Sequence, residues 1–585
     1  MIFNNLGNII FHDTLFEARE LRADINRIRH FIKDNGLGAG LTAVAVKRNE
    51  LLICTVIGML ECNAPFLPID LSLPKDRVSY MLDNAGVKNI LISDREQDGS
   101  YGEYNYLLIN REAVKDKSAD FVMDEADCRM PAYVLYTSGT TGKPKGVEVT
   151  AKGFFNFIDA VPDVVRLRDC RTAACFTSFS FDIFFLEAVL CLTNGITVVL
   201  ADDEEQRNPK KMLKLIGAHN IDCLQITPSR MRLLLLCADD EKTHSECGGI
   251  FADMKVIMLG GERLTDELLR EVKSITNASV YNMYGPTETT IWSSVSDLTA
   301  KEKSDIGVPI KNTVIYCLND RLQKAGTGEV GEIVIGGDGL ANGYIAQPEL
   351  TRQAFITLPF EPYERVYRTG DLGFFDADHV LHYEGRADSQ IKLHGFRIEP
   401  EEVEEALNNI PGIEVSAVCF DSENDRLTGF YVADSEKNEN EIKLALSKVL
   451  PAYMVPSRLF LADELKYTVS GKVDRNAMLR NIARFEAADI ECGDTSEARV
   501  IKVFRENFAD FGALSCDTEL SGLGIHSMNY IQVIVELEEI FDIEFAEECL
   551  KTDYFNTIGD IAEYVHSRIG EQSKPGSNCE ILPAM

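Results

Sequence analysis

The sequence predicts a multidomain α/β protein: a large layered α/β core, a small α+β unit, and an all-α bundle at the end. Three observations lead there. At 585 residues the chain is too long for one hydrophobic core and implies about three to five domains or subdomains. Up to about residue 385, helical stretches alternate with short apolar runs at 87–93, 196–201, 222–227 and 254–259, the pattern of helices layered on mainly parallel sheets. Near the end, Met528, Ile531, Val535 and Leu537 trace one apolar helix face, with Glu536, Glu538 and Glu539 outside it.

Taken in order, the core spans 1–387, with shorter strands and Gly-rich turns from Gly331 onward. A small unit covers 388–486 and opens with an acidic helix near 400–408. An acidic linker, 487–496, leads to the helical unit, 497–570, and the tail 571–585 is expected to be disordered. Between 493 and 570 there are 16 acids against 5 bases, which suggests a partner with basic surfaces.

Bulk composition excludes several classes. A net charge of −34, from 93 acids and 59 bases, argues against nucleic acid or an anionic membrane as partner. The 15 cysteines show no metal-ligand or disulfide spacing and are expected to be core residues and free thiols. The most apolar window, 51–69, is broken by Glu61, Asn63 and prolines, and the N-terminus lacks a basic leader, so a soluble cytoplasmic protein is expected.

The most informative run is Tyr136-Thr137-Ser138-Gly139-Thr140-Thr141-Gly142-Lys143-Pro144-Lys145-Gly146, which follows the apolar Ala132, Val134 and Leu135. Its glycines let the backbone approach an anion, and its hydroxyls and lysines supply donors and charge. Pro144 follows Lys143 where a Walker loop has Ser or Thr, so this is another kind of phosphate loop.

The run resembles the phosphate loop of adenylate-forming enzymes, and further motifs follow in that family's order. The resemblance implies ATP contacts for Thr137, Ser138, Gly139, Thr140, Thr141, Gly142 and Lys145. In Asn282-Met283-Tyr284-Gly285-Pro286-Thr287-Glu288 it implies adenine contacts for Asn282 and Tyr284, a phosphate contact for Thr287, and Mg²⁺ on Glu288. Asp371 and Arg386 would hold the ribose, Tyr383 would sit in the adenine pocket, and Asp388 would be the interdomain hinge. The segments 331–335 and 339–344 match the family as structural turns. Lys472, in Ser470-Gly471-Lys472, matches the catalytic lysine that touches both the substrate carboxylate and the ATP α-phosphate.

Leu523-Gly524-Ile525-His526-Ser527-Met528 resembles the attachment site of carrier proteins, so Ser527 is expected to carry 4′-phosphopantetheine. The whole resembles an adenylation–thiolation unit of a non-ribosomal peptide synthetase. That implies a phosphopantetheinyl transferase and downstream biosynthetic enzymes acting in trans as partners. Asp182 stands where amino-acid-activating members clamp the substrate ammonium. Ile183, Leu186, Gln225, Ile257, Leu259, Met283, Ile291 and Trp292 align as pocket walls. Bulky walls without a charge resemble the glycine-selecting set, with Leu259 where a glycine is usual. Alanine or another small amino acid stays open, since one methyl is worth about 1–3 kcal/mol. An acyl-CoA-ligase-like enzyme acting on a non-amino carboxylate is the alternative.

Overall fold

A computed structural model describes residues 5–97, 99–120, 130–139, 142–238, 249–360, 365–393, 395–421, 426–433, 437–462, 464–466, 473–480, 499–501, 503–504, 514–516, 518–520, 527–541, 543–551 and 554–572. The chain divides into two compact units, Met1–Glu402 and Val403–Met585. The first unit runs past the expected boundary at 387/388. Residues 388–402 are tied into it by ion pairs from Arg397 to Glu288 and from Arg77 to Glu402.

The expected alternation is present in the first unit. A nine-stranded sheet carries the parallel run Thr197–Leu200, Thr172–Cys175, Cys223–Ile226, Val256–Gly260, Ser279–Tyr284. A seven-stranded sheet carries Asn89–Ile92, Thr42–Ala45, Phe66–Pro68 and Pro131–Thr137 in parallel, and then turns antiparallel into Lys145–Thr150. One buried core draws from both sheets and from helices Ala18–Asp34, Glu50–Glu61 and Ala151–Val164. Parallel strands covered on both faces must be apolar throughout, which is why Val256–Gly260 reads as a continuous hydrophobic run. A five-stranded antiparallel sheet built on Gly331–Gly337 and Arg365–Phe375 follows, as the shift to shorter Gly-rich elements indicated.

In the second unit, Ile413–Asp421, Arg426–Ala433 and Arg458–Leu461 form a three-stranded sheet, backed by a small core that includes Phe430 and Met478. The helices Ser527–Phe541 and Ile558–Gln572 enclose another core, which includes Tyr530, Val533, Ile534 and Leu537. One expectation fails in that core. Glu538 is buried rather than exposed, and its carboxylate accepts the Phe545 amide at 2.7 Å. The apolar face includes Val533 and Ile534, while Val535 is half-buried, because the helix is covered on more than one side. Of the expected tail, residues 573–585 lie outside the described residues.

Candidate active site

The phosphate loop joins two antiparallel strands, with Thr137 opposite Lys145, rather than leading from a strand into a helix as a Walker loop does. Lys145 is therefore part of the second strand. It is buried, with its ammonium 3.6 Å from Glu288 Oε1 and 4.8 Å from the centre of the Tyr344 ring. Burial lowers its pKa, and the Arg397 guanidinium lowers it further. The Thr137 hydroxyl is buried and meets no partner among the described residues, so an O–H donor free for a ligand oxygen lies at the strand's end. Thr140 and Thr141 lie outside the described residues.

Glu288 is fully buried on a short helical turn, Thr287–Thr289. The Arg397 guanidinium donates to both its oxygens at 3.1 and 2.8 Å, and the Tyr344 hydroxyl donates at 2.8 Å. Burial pushes this carboxyl up, but Arg397, then Lys145 and Tyr344, hold it down at about 2. Tyr344 closes the segment 339–344, expected to be structural, and its hydroxyl reaches Glu288 as well. Among the described residues no group of three or more His, Cys, Asp or Glu is placed to hold a metal. Mg²⁺ commonly rests on one or two carboxylates plus substrate phosphates. Glu288, with the buried Ser138 and Lys145 in the same region, offers one such carboxylate, bonded in this structure to Arg397.

Asp371 is buried and accepts from the Tyr284 hydroxyl at 2.7 Å and from Arg386 at 2.6 Å. Arg386 also grips the carboxylate of Asp388 at 2.6 and 2.7 Å and the Thr369 carbonyl at 3.0 Å. The rings of Tyr284 and Tyr383 lie 6.5 Å apart, tilted by 46°. The Asn282 amide donates to the Asp305 carbonyl at 2.8 Å, so that donor is engaged inside the protein.

Asp182 sits just before a π-helical turn, Phe185–Leu190, that buries Leu186. The Thr287 hydroxyl donates to its carboxylate at 2.7 Å. Burial lifts its pKa to about 6, against the pull of the Thr287 bond, and nearby Glu288 adds to the rise. Among the described residues it has no cationic partner. Thr287 therefore connects the Asp182 pocket to the Glu288 centre.

The pocket wall departs from the expectation by one residue. Side chains alternate across a strand, so Ile257 and Leu259 face opposite to Met258 and Gly260. Met258 packs in the same core as Met283, Ile291 and Trp292. A Cβ at Gly260 would lie 2.8 Å from the Trp292 ring and 2.7 Å from the Met283 carbonyl. Gln225 pairs with Met258 across the sheet and shares that face. The strand face toward Trp292 is thus that of Met258 and Gly260, not that of Ile257 and Leu259. The Gly-Gly-Glu run at 260–262 was the signal that could have set this register. Thr290 and Ile291 both have positive φ, +65° and +66°, costly for β-branched residues, and this bend turns Ile291 and Trp292 back against Gly285. Ile183 lies beside Gly261. The Gln225 carbonyl oxygen and the Trp292 indole nitrogen are buried without partners.

Lys472 lies outside the described residues. Ser527 opens the helix Ser527–Phe541. Among the described residues no helix is long and apolar enough to cross a membrane. The cysteines that are described are free thiols, most of them buried, as expected.

The comparisons with known proteins follow the same division. Residues 8–345 match the AMP-binding enzyme family, 402–472 its C-terminal domain and 499–565 the phosphopantetheine attachment site. A dimodular nonribosomal peptide synthase of Bacillus subtilis (strain 168) is 34% identical over 91% of this chain, which spans 22% of that protein's length. Tyrocidine synthase 2 of Brevibacillus parabrevis is 31% identical over 98% of the chain and 16% of its own length. Among solved structures, holo-PA1221, an NRPS protein with adenylation and PCP domains, has a TM-score of 0.79 at 21% identity, covering 97% of this chain and 96% of that one. Holo-AB3403, a four-domain nonribosomal peptide synthetase bound to AMP and glycine, has a TM-score of 0.58 at 28% identity, covering 97% and 42%. With residues 8–345, more than half its length, matched, the chain belongs to the AMP-binding enzyme family, as an AMP-forming adenylating ligase fused to a phosphopantetheine carrier domain.

Proposed function

We propose that the chain activates a small amino acid, glycine first, as its aminoacyl adenylate and loads it on its own carrier at Ser527. The carrying observation is Asp182: a desolvated carboxylate near pKa 6 that lacks any cationic partner among the described residues. Such a group is costly unless a cation arrives, and the ammonium of an amino acid is that cation. The crowding of Gly260 by Trp292 and Met283 leaves little volume beyond the substrate's Cα, which favours glycine over alanine. The relative AB3403 binds glycine with AMP, which supports the same choice.

In this reading Asp182 orients the ammonium and Thr287 keeps the carboxylate in place. Tyr284 and Tyr383 bracket the adenine, with Asn282 at the pocket's edge, and Asp371 with Arg386 holds the ribose. The phosphate loop from Thr137 to Lys145 cradles the triphosphate. Mg²⁺ on Glu288 would neutralise charge on the phosphates. The substrate carboxylate attacks the α-phosphorus and pyrophosphate departs, with Lys472 steering both groups. Ser527 would hold 4′-phosphopantetheine, whose thiol would accept the aminoacyl group from the adenylate with release of AMP. Residues 388–486 act as a mobile lid hinged at Asp388, and 497–570 as the carrier. A phosphopantetheinyl transferase and enzymes working in trans in the cytoplasm complete the system.

The test is amino-acid-dependent ATP–pyrophosphate exchange across the proteinogenic set, with β-alanine and short fatty acids included. Strong exchange with glycine, weaker with alanine and near background elsewhere is expected. Exchange only with a non-amino acid overturns the Asp182 assignment and favours the acyl-CoA-ligase-like alternative, for which a Ser527→Ala variant would keep full turnover with free coenzyme A.

A further inference from the structure

Two polar atoms in the wall of the Asp182 pocket take no part in the proposed chemistry. Their surroundings are apolar, with Met258, Met283 and Ile291 buried in one core. Gln225, 2% exposed, lies opposite Met258 on the neighbouring strand and shares its face. Its amide nitrogen turns to the Ile226 carbonyl at 3.5 Å, and its oxygen, Oε1, is buried without a partner among the described residues. Trp292, also 2% exposed, stands against Gly260 on that face, and its indole Nε1–H is likewise buried and unpartnered among the described residues. One of these atoms is an acceptor and the other a donor. Buried groups of either kind nearly always find a partner in protein or in ordered water. Glycine brings only an ammonium and a carboxylate, whose partners in the proposed reading are Asp182 and Lys472. It therefore satisfies neither atom.

We propose that water bonded to Gln225 Oε1 and to Trp292 Nε1–H completes the wall beside a bound glycine, so that the pocket rejects a methyl group by polarity and not by crowding alone. The inference rests on the glycine reading of this pocket. Water can donate to the glutamine oxygen and accept from the indole. An alanine methyl entering that space displaces the water and can do neither, so two desolvated groups lose their bonds. The penalty falls on alanine and spares glycine, adding to the modest discrimination that fit alone gives for one methyl. A hydroxyl, by contrast, can take over the water's bonds. Given room, the pocket should prefer the CH₂OH of serine to the CH₃ of alanine, an order opposite to that of size.

Trp292 is the chain's only tryptophan, so supplying β-(3-benzothienyl)alanine in its place changes one ring to an analogue of nearly the same shape that lacks the N–H. ATP–pyrophosphate exchange on the full chain is read as kcat/KM for alanine over that for glycine. The ratio should rise about tenfold with the analogue, and about tenfold in Gln225→Met, which keeps the side chain's length and removes the acceptor. A role in packing alone would change both amino acids together and leave the ratio where it was. In Met258→Ala, which makes room, serine should exceed alanine by about tenfold, and adding Gln225→Met should remove that lead. A ratio within about twofold of wild type in both replacements overturns the inference alone, as does alanine exceeding serine in Met258→Ala. Wild type that exchanges only with a non-amino acid overturns the reading of the pocket, and the inference with it.

Discussion

Asp182 and Glu288 are desolvated carboxylates linked through Thr287, which donates to the first and precedes the second in the chain. Their electrostatic surroundings are opposite. Glu288 is surrounded by Arg397, Lys145 and the Tyr344 hydroxyl, and it titrates at about 2. Among the described residues, Asp182 has a hydroxyl and backbone as its favourable partners and Glu288 as a like charge, and burial raises its pKa to about 6. Burial alone would raise both, so the difference is the supply of positive charge. In the proposed reading, the acid short of charge awaits the cationic substrate, and the saturated one would hold the metal.

The largest expected effect comes from removing the saturated acid. Glu288→Gln should lower ATP–pyrophosphate exchange by about a thousandfold, since an ion that polarises phosphoryl oxygens is worth several kcal/mol. It should also cost about 3–5 kcal/mol in denaturant unfolding, because the buried Lys145 is left without the carboxylate beside it. Asp182→Asn should lower amino-acid-dependent exchange by about a hundredfold and yet leave the fold as stable or more so, because it removes an unpaired buried charge. Equal destabilisation by the two changes would break the comparison.

A smaller effect is the dependence on pH. Only the ionised form of Asp182 holds an ammonium, and its pKa is raised to about 6. Affinity for the amino acid should therefore be full above that value and fall by about tenfold per unit as pH drops through and below it. The apparent KM of exchange reads this, and Asp182→Asn should abolish the slope. An acid limb near pH 4 would mean that Asp182 already has a cation. Smallest is the wall. Met258→Ala should raise exchange with alanine relative to glycine by about tenfold, in the range one methyl is worth, while Leu259→Ala on the other face should leave the ratio within about twofold. The reverse ranking would restore Leu259 to the pocket.

The fold class was legible because apolar periodicity survives any packing detail: the runs at 87–93, 196–201, 222–227 and 254–259 became the strands Asn89–Ile92, Thr197–Leu200, Cys223–Ile226 and Val256–Gly260. Among the residues the motifs singled out, Tyr284 and Arg386 meet Asp371, Thr287 meets Asp182, and Lys145 lies near Glu288. Pocket facing was not, because a strand's buried run is apolar on both faces, and only the register Gln225 with Met258 and Gly260 with Met283 shows which side lines the wall. The burial of Glu538 escaped for a related reason: a helix covered on several sides need not follow one stripe.

By itself, then, the sequence determined the layered α/β core, the small α+β unit and the helical carrier, and it put forward Asp182, Glu288, Asp371 and Ser527 as candidates for the chemistry. Tertiary structure alone decided the partners of those groups. Arg397 lies more than a hundred residues from Glu288 and Glu402 more than two hundred from Gly139. No local pattern encodes which charge will neutralise which, since that depends on where the chain's long-range contacts bring burial and counter-charge together.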